Sequence, residues 1–517
     1  MRSLARAKGP VSPISEQQDI HLAAVKISAV FEQNEKGFTQ GIIGTVPPTG
    51  TFIFPVRESL LDVLLKSYKD QIFYLGRVWG STVKLPLWFK HFGEGPRGAK
   101  EAYHIGIFGK TGSGKSVLAK MILLAYARHK EMGIIVLDPQ GEFSKALKTE
   151  LPRSEMENIL SPSTLSAIQR EYIVYDIDKI ALNRWELLGL LLKEFKFFEE
   201  LGIKGVPNQD TAMDYVINVL KPSSFADLSR DPQNALNSTL ETLNKYSNHI
   251  YSGEKGAERL QENIEKYNKE DSIVKNNIDR IWNKVVALFS TSEGKKTPKD
   301  IIKEAIGGEN RPIVIIDLSK TAGDITQAEW EEKIKPMIIT LFIEEIIRTA
   351  SYSYKEGKSL NTLIVIDEAH RLAPRGTIEN EKKSKLRSLL IDGARTTRKY
   401  GLGWMFISQT LSSIDKEIIS QLRIYFIGYG LSMGTELDSL KELVGGDQTS
   451  IKLYQSFPDP QSAFESTSRQ YSFMTIGPVS PLSFTGSPLF LTAFTDPEEF
   501  LKSNNIRELK TRGNGTL

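Results

Sequence analysis

Apolar residues are not spread evenly along this chain. From Tyr103 onward they gather into short runs, each closed by glycine, proline or a carboxylate. His104–Phe108, Gly133–Leu137, Tyr172–Tyr175, Arg311–Leu318, Thr362–Asp367, Gly403–Ser408 and Arg423–Tyr429 read as strands, with Ser472–Ile476 and Leu489–Phe494 following near the end. Helical periodicity lies between them, first over Ser116–Lys130. Continuous apolar strands alternating with helices predict an α/β fold with a mostly parallel sheet. The segment Asp19–Phe92 has a different texture: Val25–Ile27, Phe52–Phe54, Ile72–Leu75 and Val83–Phe89 are strand-like and separated by Gly and Pro turns. That pattern predicts a small β-barrel. Between Leu187 and Thr297 strand signals give way to helical periodicity with mixed charge, read as a helical insertion. The expected organisation is a barrel over 1–95, a core over 96–186 and 298–500, the insertion over 187–297 and a polar tail over 501–517. Gly93–Lys100 is read as a linker.

One glycine-rich turn gives this core a chemistry. Gly109-Lys110-Thr111-Gly112-Ser113-Gly114-Lys115-Ser116 matches G-x-x-x-x-G-K-[ST] without gaps, with a strand before it and a helix after it. Glycines let the backbone curl so that successive N–H groups face phosphates, and the helix N-terminus adds positive potential. Residues Gly109 to Val117 are therefore the expected ATP cradle, with Lys115 on the β- and γ-phosphates and the Ser116 hydroxyl on Mg²⁺. The apolar strand ending in Asp367-Glu368 is the expected Walker B partner. Asp367 is suited to hold Mg²⁺ through water, and Glu368 to polarise the attacking water. His370 either couples nucleotide state to the next loop or simply packs. Gln409 ends the following strand, where a RecA-like ATPase carries a polar residue that senses the γ-phosphate. The fold expected is thus a RecA-like P-loop core. Glu142, in Asp138-Pro139-Gln140-Gly141-Glu142-Phe143, is read as a contact to the hydrolytic water or to a neighbouring subunit. A plain turn with Gly141 at positive φ explains the same spacing.

Charge adds one local feature. The net charge is only +3, so any nucleic-acid site must be local. From Arg371 to Lys399 nine basic residues stand against Glu379, Glu381 and Asp392. A run of this kind is often a solvated helix face. Read functionally, Arg371, Arg375, Lys382, Lys383, Lys385 and Arg387 form a loop touching DNA phosphates. Arg398, or else Arg395, serves as an arginine finger to a neighbour's ATP. The chain has no cysteine, which removes disulfides and thiolate metal sites, and the six histidines show no metal-ligand spacing, so Mg²⁺ is the one metal expected. The basic start, Met1–Ser12, is followed by no apolar stretch, and no apolar run is long enough for a bilayer. The expectation is a cytoplasmic protein without membrane contact.

These pieces together resemble the HerA-type hexameric ATPases of the HerA/FtsK superfamily. The resemblance rests on GKTGSGKS at Gly109–Ser116, DPQGEF at Asp138–Phe143, VIIDLS at Val314–Ser319, VIDEAH at Val365–His370 and RKYGLGWMFISQ at Arg398–Gln409. The β-rich start, including Leu75-Gly76-Arg77-Val78, looks like the small barrel that precedes the HerA core. The resemblance implies a homohexameric ring that translocates double-stranded DNA. It also implies an effector partner, either a NurA-like nuclease in DNA-end processing or a nuclease or sirtuin-like effector in anti-phage defence. HerA proteins often carry an arginine just before the Walker A strand, where this chain has Tyr103; Arg97 and Lys100 are near but out of register. Two other readings compete: a ring that mainly scaffolds and activates an effector, and a protein translocase.

Overall fold

A computed structural model describes residues 27–506, apart from 36, 43, 45–46, 49, 96, 149–155, 252, 270–272, 292–293, 322–324, 379–380, 466–467 and 484–485. Fourteen strands are formed among the described residues: β1 (Phe31–Asn34), β2 (Gly37–Gln40), β3 (Ile72–Phe73), β4 (Gly76–Val78), β5 (Leu87–Trp88), β6 (Ile105–Phe108), β7 (Gly133–Asp138), β8 (Tyr172–Asp176), β9 (Ile313–Asp317), β10 (Thr362–Ile366), β11 (Leu402–Ser408), β12 (Ile424–Gly428), β13 (Ser472–Ile476) and β14 (Leu489–Ala493). Ten of them make one sheet in the order β4-β14-β13-β12-β6-β11-β10-β7-β9-β8. From β12 through β8 every neighbouring pair is parallel, while β13, β14 and β4 extend the β12 edge in antiparallel fashion.

The parallel strands are apolar because both faces are covered. Successive side chains on a strand point to opposite faces. On β7, Ile134 and Val136 enter the core shared with the P-loop helix (Lys115–Ala127), and Ile135 and Leu137 enter the opposite core. Leu363 and Val365 of β10 divide from Ile364 and Ile366 in the same way. The P-loop helix is buried all round from Leu118 to Ala127, because Phe73, Leu87, Phe89 and Phe92 of the N-terminal segment cover its outer side. The other face carries the long helix Lys335–Lys355, the helix Glu381–Thr396 and the helices between β8 and β9. That last segment is helical from Trp185 to Val286, as its periodicity predicts, and its Leu188, Leu191, Phe197, Trp282 and Phe289 join the sheet's core.

The N-terminal expectation needs correction. Among the described residues no barrel closes: β1 pairs only with β2, β3 only with β5, and β4 leaves the segment to pair with β14 of the large sheet. Val25 and Lys26 lie outside the described residues. Phe52–Phe54 is in no ladder, with its three side chains exposed. A helix (Glu58–Leu64) and a 3₁₀ turn (Lys66–Gln71) occupy part of the stretch read as β-rich. Strand propensity marks chain that suits a sheet, and here the edge supplied by β14 captures Gly76–Val78, between two of the expected runs. Of the polar tail, Asn504 holds on by its side-chain amide, which bonds both the N–H (2.8 Å) and the C=O (2.9 Å) of Tyr74. Residues 507–517 lie outside the described residues.

Gly76 is where the N-terminal segment joins the core. A Cβ there would lie 2.0 Å from the Thr492 carbonyl oxygen, so only glycine allows this approach. Gly76→Ala is expected to detach β4 from β14. Hydrogen exchange at the amides of Trp79 and Phe494, which bond the Phe490 and Leu75 carbonyls across this seam, should quicken by about tenfold or more, and limited proteolysis should release the segment before residue 100.

Candidate nucleotide site

The side chains expected from the glycine loop and the carboxylate pair collect at the C-terminal ends of the parallel strands, where an open α/β sheet binds its ligands. β6 runs into the glycine loop, in which Gly112 and Gly114 sit at φ +79° and +85°. Those left-handed conformations turn the chain into the helix that starts at Lys115. The Lys115 ammonium donates to the Lys110 carbonyl at 3.0 Å, folded back over the loop. Burial lowers the Lys115 pKa, while Glu368, Asp367 and Glu142 oppose that shift. Inside the loop the buried Ser113 hydroxyl has no hydrogen-bond partner among the described residues.

β10 delivers the carboxylate pair. Asp367 is buried, and its carboxyl is pushed up to about 7, first by desolvation and then by the charges of Glu142, Glu368 and Asp138. Its Oδ1 accepts the Glu368 N–H at 2.9 Å. Glu368 sits at φ +51°, a conformation that L side chains rarely adopt, and it begins the short helix Ala369–Leu372. One Glu368 oxygen, Oε1, accepts from the Gln409 amide at 3.3 Å. The other, Oε2, is buried with no hydrogen-bond partner among the described residues, 3.4 Å from His370 Nε2 and 3.6 Å from Arg371 Nε.

Gln409, at the end of β11, connects the two motifs. Its Oε1 accepts from the Thr111 hydroxyl at 3.3 Å, and its Nε2 donates to Glu368. Because β11 lies between β6 and β10, one side chain spans from the phosphate loop to the carboxylates. Beside it the Ser408 hydroxyl lies 3.4 Å from His370 Nδ1. His370 therefore has contacts on both ring nitrogens rather than simply packing.

The Asp138–Phe143 segment is a tight turn with Gly141 at φ +79°. The Asp138 carboxylate holds it by accepting the backbone N–H groups of Gly141, Glu142, Phe143 and Ser144 at 2.9–3.0 Å. In register with Asp138 on the adjoining strands are Asp317 and then Asp176. Ser144 donates to Asp317 at 2.7 Å, and Lys148 pairs with both Asp317 and Asp176. This second row of carboxylates stands out in the sequence only as apolar runs that each end in Asp.

The expected basic loop takes a different form. Lys382 to Arg387 lie on the helix Glu381–Thr396, not in a loop. Lys382 pairs with Glu194, Lys385 with Glu344 (2.9 Å), and Arg387 donates to the Gly376 carbonyl beside Asp415. The periodic Leu386, Leu390 and Ala394 put one face of the segment into the core, so the charges on its flanks meet acidic neighbours. Arg371 keeps a side chain 60% exposed. The two finger candidates are also paired within the chain, Arg395 with Glu417 and Arg398 with Glu101 (3.3 Å). Arg398 precedes β11, at the end of the sheet opposite the glycine loop.

Residues 102–346 match the family model described as "Helicase HerA, central domain". Over those residues the chain carries the HerA central domain. No curated protein matches the chain significantly. Among solved structures it is similar to VirB4 of Thermoanaerobacter pseudethanolicus at 14% identity and TM-score 0.42, over 83% of this chain and 97% of that one. It is similar to the genome packaging NTPase B204 of Sulfolobus turreted icosahedral virus 2 in complex with AMPPCP at 9% identity and TM-score 0.32, over 76% and 98%. It is similar to the bacterial conjugative coupling protein TrwB at 13% identity and TM-score 0.35, over 81% and 88%. No helix among the described residues is long and apolar enough to cross a membrane.

The raised Asp367 pKa has a consequence for stability. The unfolded carboxyl titrates near 4, so the folded state binds its proton more tightly. Between pH 4 and about 7 the fold loses stability as the unfolded chain gives up that proton, and above 7 the loss is complete. Asp367→Asn keeps the shape of the neutral acid. In nucleotide-free protein with chelator, the variant's gain in unfolding temperature over the parent should be largest at pH 8 and vanish near pH 4. Thermal melts across that range measure it.

Proposed function

We propose that this HerA-type ATPase is an ATP-driven double-stranded DNA translocase, working as a hexameric ring with an effector protein, a nuclease or sirtuin-like partner, in DNA-end processing or anti-phage defence. The observation that carries the motor reading is the bridge from Thr111 through Gln409 to Glu368. A group held by both the phosphate loop and the carboxylate pair must rearrange when the γ-phosphate enters or leaves. Through Glu368 that change reaches His370, Arg371 and the basic segment.

The residues fit ATP and Mg²⁺. Ser113 offers an unpartnered buried hydroxyl inside the cradle, and Glu368 Oε2 is an unpartnered carboxylate oxygen where an attacking water is needed. Ser116 and Asp367 are the groups that would hold Mg²⁺, whose bound charge would stabilise the ionised form of Asp367 and the phosphate oxygens. Lys115 leaves the Lys110 carbonyl to meet the phosphates. Glu368 takes the proton of the water, and Gln409 keeps Glu368 oriented. An arginine from the next subunit, with Arg398 before Arg395 as first choice, completes the charge around the γ-phosphate once its internal ion pair opens.

DNA contact is assigned to Arg371, Arg375, Lys382, Lys383, Lys385 and Arg387, as contacts to the backbone without base reading. Ion pairs such as Lys385–Glu344 are exposed enough to exchange a carboxylate for a phosphate. The same pairs favour the second reading, a ring that chiefly activates its effector, because they engage the charges that DNA would need.

Two measurements separate the readings. Glu368→Gln should retain ATP binding in a fluorescent-nucleotide titration and lose about 10²-fold or more of turnover. Loss of binding as well would remove Glu368 from the role of base. In the second, linear duplex DNA is titrated at several salt concentrations against the parent and Arg375→Ala/Lys383→Ala. The parent's ATPase should rise with DNA, and the variant should show a flatter salt dependence by about two phosphate contacts. No stimulation of the parent at any salt would favour the scaffold.

A further inference from the structure

His91 and His129 are distant in sequence but adjacent in the fold. His91 follows β5 at the end of the N-terminal segment, and His129 lies just beyond the P-loop helix, two residues before Glu131. The two rings are 5.2 Å apart between centroids, and both residues are buried, at 6% and 9% exposure. One donor atom from each histidine and one Glu131 oxygen lie within 4.8 Å of one another. We propose that His91, His129 and Glu131 bind one transition-metal dication of the zinc class, clamping the N-terminal segment to the ATPase core.

Donor chemistry selects the metal. Two imidazoles and a carboxylate suit zinc, whereas Mg²⁺ and Ca²⁺ prefer oxygen ligands throughout. Metal–ligand bonds of about 2.0–2.2 Å in a tetrahedron place donors about 3.3 Å apart. His91 Nε2 and Glu131 Oε1 are already 3.3 Å apart. His129 is held as zinc-binding histidines are held. Its Nε2 lies 2.7 Å from the Phe89 carbonyl, which can only accept, so the proton is on Nε2 and the Nδ1 lone pair is available. His91 Nδ1 accepts the Gly93 N–H at 3.2 Å, so its Nε2 proton is now shared with Glu131. Metal binding at Nε2 moves that proton to Nδ1, at the cost of this long bond from Gly93. The Glu131 side chain is 51% exposed, which leaves a fourth position open to water.

The nearby cations are engaged elsewhere. Arg97 pairs with Asp70 at 3.7 Å. Arg128 stacks over Phe73 at 4.8 Å and donates to the Ile72 carbonyl at 3.1 Å. The site joins the N-terminal segment to the core at a place apart from the β4–β14 ladder, so an ion there would oppose their separation.

The test uses the full chain, stripped with chelator and titrated with Zn²⁺ against a chromophoric competitor, and with Co²⁺ for its visible tetrahedral bands. One equivalent of tight Zn²⁺ is expected, with a higher unfolding temperature in its presence. His129→Ala should weaken binding by more than the roughly 10–100-fold that losing an outer-shell partner costs, and should abolish the thermal shift. Glu131→Gln, at a half-exposed position that leaves the fold intact, should weaken binding and change the Co²⁺ spectrum. Asp367→Asn controls for zinc at the nucleotide carboxylates and should bind as the parent does. Binding below one equivalent, binding unchanged in Glu131→Gln, or binding lost in Asp367→Asn would each overturn the proposal.

Discussion

Burial of the parallel strands on both faces is the constraint on which the rest of this structure depends. A strand covered on both sides has no place for a polar side chain along its length, so its polar groups gather where the strand stops. Asp138, Asp176, Asp317 and Asp367 all stand at such strand ends. Each must then be compensated by something local. Four backbone N–H groups serve Asp138, and Lys148 with Ser144 serves Asp317. Asp367 has the least compensation, a single backbone N–H, and its pKa rises accordingly. The carboxyl left most exposed to this cost is the one that faces the glycine loop.

Strand order converts that collection of end groups into a coupled site. Three adjacent strands, β6, β11 and β10, end in the glycine loop, in Gln409 and in the carboxylate pair. The middle position lets one amide touch both neighbours, and exchanging β11 with any outer strand would break the bridge. The left-handed backbone at Glu368 bends the chain at the same place, turning the strand end into the short helix that carries His370 and Arg371. Local strain and strand order thus act on the same few residues, Gln409, Glu368 and the short helix that follows it.

Outside the sheet, ion pairs engage the basic residues. The insertion presents Glu194 to Lys382, and the long helix presents Glu344 to Lys385. Glu101, just before β6, pairs with both Arg398 and Arg423. Basic residues that look free in the sequence therefore hold elements of the fold together in the single chain. Exposed pairs of this kind contribute little each and can be exchanged for other anions, whereas those half-buried against the insertion are harder to release.

By itself the sequence determined the type and order of the core elements, because continuous apolar runs and a helix-opening glycine loop are local properties. Ile105–Phe108, Gly133–Asp138 and Ser472–Ile476 form as strands within a residue or two of where their apolar patterns place them. The phosphate loop and the carboxylate pair were legible for the same reason, since each is a short contiguous motif. Only the tertiary structure decided which residues meet across the chain. That Gln409 spans from Thr111 to Glu368 depends on β11 lying between β6 and β10, and strand order leaves no trace in periodicity. That β4 joins the large sheet rather than closing a barrel depends on an edge offered by β14, far along the chain. The pairing of His91 with His129 and Glu131, and of the basic segment with its acidic partners, likewise arises between residues far apart in sequence. Spacing reports ligands on one element, whereas packing brings together ligands from several.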